Sequence, residues 1–352
     1  MIIRSSKLSF SLALFLCLST AFPGCSVVDQ MEGEEVPMVI TGATMGTYYR
    51  VSVSTLPLKY NAQELKVKVE SILDEVNQQM STYLSDSELS LFNSSESIDW
   101  FSVSEDTAKV ISRGIDIYNL SSGAFDITIG PLVNLWGFGP LGRRDDLPTD
   151  REIAAKMTTI GSDHLKVRLS PPALKKSLSN LHVDLSAIAK GFAVDRLSVM
   201  LNSLGTTAFL VDIGGEMRAK GTKSGSNSVW RIGIESPVAT SQQIQKVVEL
   251  DNTAIATSGD YRNYFEVDKV RYSHEIDPRT GRPISHRLAS VTVVDTSCMD
   301  ADGWATALLI LGTVEGYALA NQKNLAALFV IKTEDGVEEK MTVGFRNLIK
   351  KE

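Results

Sequence analysis

Between Asn61 and Met80 the apolar residues Leu65, Val69, Ile72, Leu73, Val76 and Met80 recur at intervals of three and four, which predicts a helix with one buried face. The Ser/Asp-rich string MSTYLSDSELSLFN then breaks the periodicity and places Tyr83 in a loop. Upstream, TGATMGTYYRVSVS alternates at Tyr49, Val51 and Val53 and reads as a loop entering an edge strand. A second helix starts at Ser104, an N-cap followed by Glu105 and Asp106, and stops at Gly123. GAFDITIGPLVNLWGFG, with three aromatics and four glycines, makes a poor regular element; it suits a ligand rim or a buried aromatic loop.

Residues 140–160 read as a surface loop and a short helix, and SPPALKKSLSN as a hairpin or turn. In LHVDLSAIAKGFAVDRLSVMLNSLG a short strand ending at Leu185 passes into a helix carrying Ile188, Phe192, Leu197, Met200, Leu201 and Leu204, closed by Gly205. VDIGGEMRAKG turns between two strands at a Gly pair. Further strands follow in WRIGIESP and in 246–277, the latter with a tight turn at Asp268/Lys269. A helix near Asp300, another over about 313–323, and the strands LAALFVI and KMTVGF complete the chain. Strands and helices mix without regular βαβ alternation, so the fold class is α+β, as one large domain or two lobes.

The N-terminus changes the picture. Arg4 and Lys7, an apolar run Leu8–Leu18 and then AFPGC form the layout of a secretory signal over 1–24. Cys25 after Gly24 fits a lipid-modified cysteine, although Phe22 and Pro23 depart from the usual residues, and a plain secreted form is the alternative. Residues 25–38 are polar and acidic and suit a tether; the fold then begins near Val39 and runs through 352. Cleavage would remove two basic residues and no acid, taking the formal net charge from −7 to −9. Such a body has no basic stretch to recruit nucleic acid. Cys298 alone of the three cysteines lies in the folded part, so it reads as packing.

Candidate chemistry concentrates between Ser273 and Thr306. Asp302 and Thr306, four apart on a helix, share a face, which suits a small hard cation such as Mg²⁺ that takes few protein oxygens. A helix cap or dipole partner is the other reading of an acid there. DPRTG is a rigid turn with His274 just before it, positioned to be aimed. Lys190, one turn into its helix, is either a phosphate contact or a solvated surface lysine.

MGT at 45–47, MSTY at 80–83, GAFD with GPLVNLWGFG, DLSAIAKGFAVD, VDIGGE, TSGDYRNYF, SHEIDPRTGRPI and DADGWATALLILG together resemble the ApbE-type FAD:protein FMN transferases, in order and from about Val39 to Phe345. Ile127 stands where that family often has proline, and Glu275 and Trp304 replace commoner aliphatics. The resemblance implies one ApbE-like, T-fold-related globular domain. It also implies an Mg²⁺-dependent reaction that splits FAD, releases AMP and joins FMN to a Thr or Ser hydroxyl of an exported acceptor, such as a membrane redox-pump subunit. On this basis Ala187 (through its carbonyl), Asp302 and Thr306 would hold the metal. Met45, Tyr83, Ala124, Phe125, Asp126, Asp184 and Lys190 would contact FAD, and His274 would be the base. It further implies a protein lipid-anchored at the inner membrane on the periplasmic side. An FAD pyrophosphatase giving FMN and AMP, and a non-catalytic flavin-binding lipoprotein, are the alternatives.

Overall fold

A computed structural model describes residues 38–54, 60–139, 142–144, 146–223, 228–237, 243–261 and 263–349. The expected leader, Cys25 and the tether up to residue 37 lie outside the described residues.

The organising element is an eight-stranded antiparallel sheet whose spatial order follows the chain. Its strands are β1 (Met38–Thr44), β2 (Thr47–Val53), β3 (Phe209–Ile213), β4 (Glu216–Lys220), β5 (Thr253–Gly259), β6 (Leu288–Asp295), β7 (Ala326–Lys332) and β8 (Val337–Met341). Because each strand pairs with its neighbour in sequence, the rest of the molecule consists of excursions between adjacent strands. The β2–β3 excursion carries α1 (Ala62–Met80), α2 (Glu105–Leu120) and α3 (Ala189–Ser203), and the β6–β7 excursion carries α4 (Cys298–Gln322).

β1 corrects the expected loop before Tyr49. Met45 and Gly46 both take positive φ (47° and 72°), forming a two-residue reversal that pairs Thr44 with Thr47. β1 is therefore the edge strand, and β2 lies inside it. The expected strand at Leu181–Leu185 joins no sheet among the described residues. Its hydrogen bonds come from elsewhere: the Asn93 side chain accepts from Val183 N and donates to Val183 O, both at 2.8 Å, and Asp184 N donates to Ile127 O at 2.7 Å. The Ser-rich string also contains a short helix, Glu88–Ser94, capped by Ser87.

α1 and α2 follow their periodicity. Asn61 forms a capping box with Glu64, and Leu65, Val69, Leu73, Val76 and Met80 are buried. Ser104 accepts from Thr107 N, and α2 ends at Leu120, where Gly123 at φ 83° returns its N–H to Tyr118 O. The two helices expected after Asp300 are present within the α4 range, separated by the non-helical backbone of Gly312 (φ 75°).

These helices pack on one face of the sheet and the hairpin Trp230–Glu235/Ile244–Leu250 covers the other. The strand period of two divides β6 accordingly: Val291 and Val293 join the helical core, while Val294 meets Trp230 and Val248. A smaller apolar cluster gathers Leu132, Leu135, Trp136, Ile153 and Ile276. α4 is long and apolar enough to cross a bilayer, yet it lies against β5 and β6 with more than half of its most apolar stretch buried.

Within the helical layer α3 packs tightly against α4. A Cβ on Gly191 would sit 2.3 Å from Cys298 O and 2.8 Å from Asp302 Cβ, so only glycine fits. Cys298 is fully buried there as packing, its thiol pKa pushed well up by burial. Gly191→Ala forces the helices apart and is expected to lower unfolding free energy by about 1–3 kcal/mol. Denaturant titration checks this, and an unchanged midpoint contradicts it.

Candidate active site

One cavity of about 690 Å³ opens beside this helix pair. Ten of the eleven residues singled out in the sequence line it: Tyr83, Ala124, Phe125, Asp126, Asp184, Ala187, Lys190, His274, Asp302 and Thr306. Met45 does not. It sits in the β1–β2 turn, half-buried against the main core.

Each wall has a local cause. Asp126 is buried, and its Oδ1 accepts from Thr128 N (2.8 Å), Thr128 Oγ1 (2.7 Å) and Ser162 Oγ (2.7 Å). Burial raises its carboxyl pKa, and those hydrogen bonds only partly oppose the rise. Tyr83 stands at the rim, 71% exposed. Asp184 accepts from Ser186 N (2.8 Å) and Ser186 Oγ (2.5 Å), folding the chain into the turn that leads to α3.

At the start of α3, Gly191 N is one of the first amides, which have no partner inside the helix, and it donates to Asp302 Oδ2 at 3.0 Å. That bond ties the first turns of α3 and α4 together, and Ala187, just before α3, lines the same cavity as Asp302. Asp302 does not cap its own helix, because Ser297 accepts from Asp300 N as the N-cap of α4, and Asp300 itself pairs with Arg113 at 2.8 Å. Asp195 on α3 accepts from Ser297 Oγ, Cys298 N and Met299 N, a carboxylate at the positive end of α4. Thr306 Oγ1 lies 2.9 Å from Ser258 Oγ.

Lys190 is no solvated surface lysine. Its Nζ donates to Glu216 Oε1 at 2.6 Å and lies 4.0 Å from Asp302 Oδ1. Burial works to lower its pKa, but the charges of Asp302 and Glu216 outweigh it, and the ammonium is held firmly protonated. Burial also pushes the Glu216 carboxyl up against the opposing pull of Lys190. Glu216 Oε2 is a buried acceptor without a hydrogen-bond partner among the described residues.

These oxygens fit a small hard cation. No group of three or more His, Cys, Asp or Glu side chains surrounds one point among the described residues. The donors at hand are one carboxylate, a hydroxyl and a carbonyl, a set suited to Mg²⁺ and poor for zinc.

Opposite chemistry is provided by His274. Its Nδ1 is 2.9 Å from Asn263 O, and a carbonyl only accepts, so Nδ1 carries the hydrogen and Nε2 is the basic nitrogen. Nε2 lies 3.5 Å from Glu275 Oε1, on a side chain only 12% exposed. The DPRTG turn closes through Thr280 N and Gly281 N to Asp277 O, and Trp136 Nε1 donates to Gly281 O at 2.8 Å. Trp136, Tyr272, Phe265 and Phe138 stack in sequence, and Phe138 meets the His274 ring edge-on at 6.2 Å.

Sequence reasoning passed over Glu216, Asn93 and Asp195. Glu216 was visible only as the acid after a Gly pair, while Asn93 and Asp195 carry no local signal.

The ApbE family model matches residues 45–329. The chain belongs to the ApbE family. A Vibrio cholerae relative named FAD:protein FMN transferase is 46% identical over 312 residues, covering 89% of this chain and 92% of that protein. The solved flavin transferase ApbE from Vibrio cholerae superposes with a TM-score of 0.83 at 44% identity, covering 89% and 99% of the two chains. The apo flavinyl transferase ApbE of Pseudomonas stutzeri gives 0.81 at 41% identity, covering 89% and 96%. ApbE membership thus rests on nearly the whole described body and includes the cavity.

A carboxyl whose pKa is raised on folding penalises the native state once it ionises. Asp126→Asn, which keeps an accepting oxygen, is therefore expected to be more stable than the wild type at pH 7. The difference should shrink as pH falls and the wild-type carboxyl protonates in both states. Thermal melts across pH 4–8 check this, and a gap that widens toward acid contradicts it.

Proposed function

We propose that this protein is an FAD:protein FMN transferase. The observation that carries the reading is the single cavity that brings an oriented basic nitrogen, a fixed ammonium and a hard-oxygen cluster together with an aromatic rim. Its volume lies within the range of small-molecule sites and suits a dinucleotide-sized ligand. The names of the relatives supply the substrate, FAD, and the transferred group, FMN.

The chemistry follows from what each residue can do. His274 Nε2 takes the proton of a Thr or Ser hydroxyl on the acceptor protein. The hydroxyl oxygen forms a bond to the FMN phosphorus as the bond from that phosphorus to the bridging oxygen breaks. AMP leaves with the electron pair. Lys190 presents a full positive charge to the pyrophosphate, and the Asn263 carbonyl keeps the His274 ring in one tautomer. Ala187 O, Asp302 and Thr306 would hold Mg²⁺, which when bound offsets phosphate charge as it develops. Tyr83, Ala124, Phe125, Asp126 and Asp184 form the walls for FAD. A role for Met45 would have to come through the β1–β2 turn, not the cavity wall.

The leader pattern and Cys25 support a protein anchored by lipid on the periplasmic side of the inner membrane, acting on an exported or membrane-bound redox subunit. Incubation with FAD, Mg²⁺ and a threonine-bearing acceptor, read by mass spectrometry, is expected to add one FMN to the acceptor and yield equimolar AMP. FMN and AMP released at a comparable rate without acceptor would instead favour the pyrophosphatase.

His274→Gln is expected to reduce transfer by about 10²–10⁴-fold, with FAD affinity within a few-fold of the wild type. Transfer at the wild-type rate would remove His274 as the base.

A further inference from the structure

Two positive charges compete for one oxygen where α3 meets α4. Asp302 Oδ2 is committed to Gly191 N at 3.0 Å, so Oδ1 is the oxygen left for a divalent cation. Lys190 Nζ lies 4.0 Å from that same Oδ1. A shift of roughly 1 Å would give an ordinary charge-assisted contact and cover the oxygen. The Asp302 side chain is 5% exposed, so little water is present to weaken the attraction. Something must hold the ammonium off.

Glu216 occupies the position to do so. It follows the Gly214–Gly215 turn between β3 and β4, where Gly215 N donates to Asp212 Oδ1 at 2.9 Å and both glycines take positive φ. The turn delivers a 6%-exposed carboxylate whose Oε1 grips Lys190 Nζ at 2.6 Å. Stability alone explains this arrangement poorly. A buried carboxylate with one oxygen unpartnered among the described residues is costly, and replacing such an ion pair by apolar groups is often neutral or favourable.

We propose that Glu216 is a positioning residue acting through Lys190: it holds the ammonium away from Asp302 Oδ1, keeping that oxygen open to a divalent cation while the lysine charge stays in the cavity. The inference rests on the assignment of Asp302 as a cation ligand. It differs from a role for Glu216 as a ligand itself, because it makes the effect of Glu216 conditional on Lys190.

The conditional effect can be measured without turnover. Mn²⁺ binding to the flavin-free full-length protein is followed by electron paramagnetic resonance for the wild type, Glu216→Gln, Lys190→Met and the double variant. Glu216→Gln is expected to weaken Mn²⁺ about 10–100-fold, the usual cost of losing a supporting contact to a metal site. Lys190→Met should bind at least as tightly as the wild type, and the double variant should match Lys190→Met. Wild-type affinity in Glu216→Gln overturns the proposal. So does a double variant as weak as Glu216→Gln, which would make Glu216 a ligand or a structural support. Should Glu216→Gln fail to fold, Lys190→Met decides, because weaker binding in that variant contradicts competition. A wild-type protein that binds no Mn²⁺ refutes the cation assignment itself, an outcome distinct from failure of the Glu216 role.

Discussion

The site depends on the close crossing of α3 and α4. Gly191 has no side chain, so its backbone reaches Cys298 and Asp302, and its N–H, one of the helix-start amides without a partner inside α3, meets Asp302 Oδ2 at 3.0 Å. Two consequences follow. That bond occupies one Asp302 oxygen and leaves the other, and the crossing sets Lys190 beside both Asp302 and Glu216. Asp195 reinforces the crossing by accepting the first amides of α4.

The sheet explains how distant parts of the chain reach this point. In a meander each strand lies beside the next, so every excursion leaves and returns at adjacent positions. The cavity wall at 124–139 and the α3 start belong to the β2–β3 excursion, Glu216 to the β3–β4 turn, His274 to the β5–β6 excursion and Asp302 to the β6–β7 excursion. His274 needs separate support because it directly follows the hairpin Tyr264–Val267/Val270–Ser273, which lies outside the main sheet. The stacked aromatics from Trp136 to Phe138, together with the Asp260–Lys332 ion pair at the hairpin base, provide it.

Much of this was legible from one-dimensional patterns where the physics is local. The α1 and α2 faces follow from spacing and caps, and Asp302 and Thr306 share a face because helical geometry requires it. β1 was hidden because it is an edge strand whose alternation is interrupted by a glycine; Gly42 is there to admit the Tyr49 ring, a contact with no signature in its own segment. Leu181–Leu185 looked like a strand because its apolar alternation is real, but an asparagine 90 residues away supplies the bonds a neighbouring strand would have made. Glu216 could not be assigned from sequence, since its meaning lies in a lysine on another element. His274 and Asp302 were grouped as one stretch rich in candidate chemistry, Ser273–Thr306, and the shared cavity gives that grouping a physical basis.

If the α3–α4 crossing builds a divalent-cation site, the cation must sit inside the cavity beside it. The direct measurement is an anomalous difference map from crystals grown with Mn²⁺ and FAD. One peak bounded by Ala187 O, Asp302 Oδ1 and Thr306 Oγ1 is expected. A cavity containing FAD with no peak there, or with its peak on other residues, contradicts it.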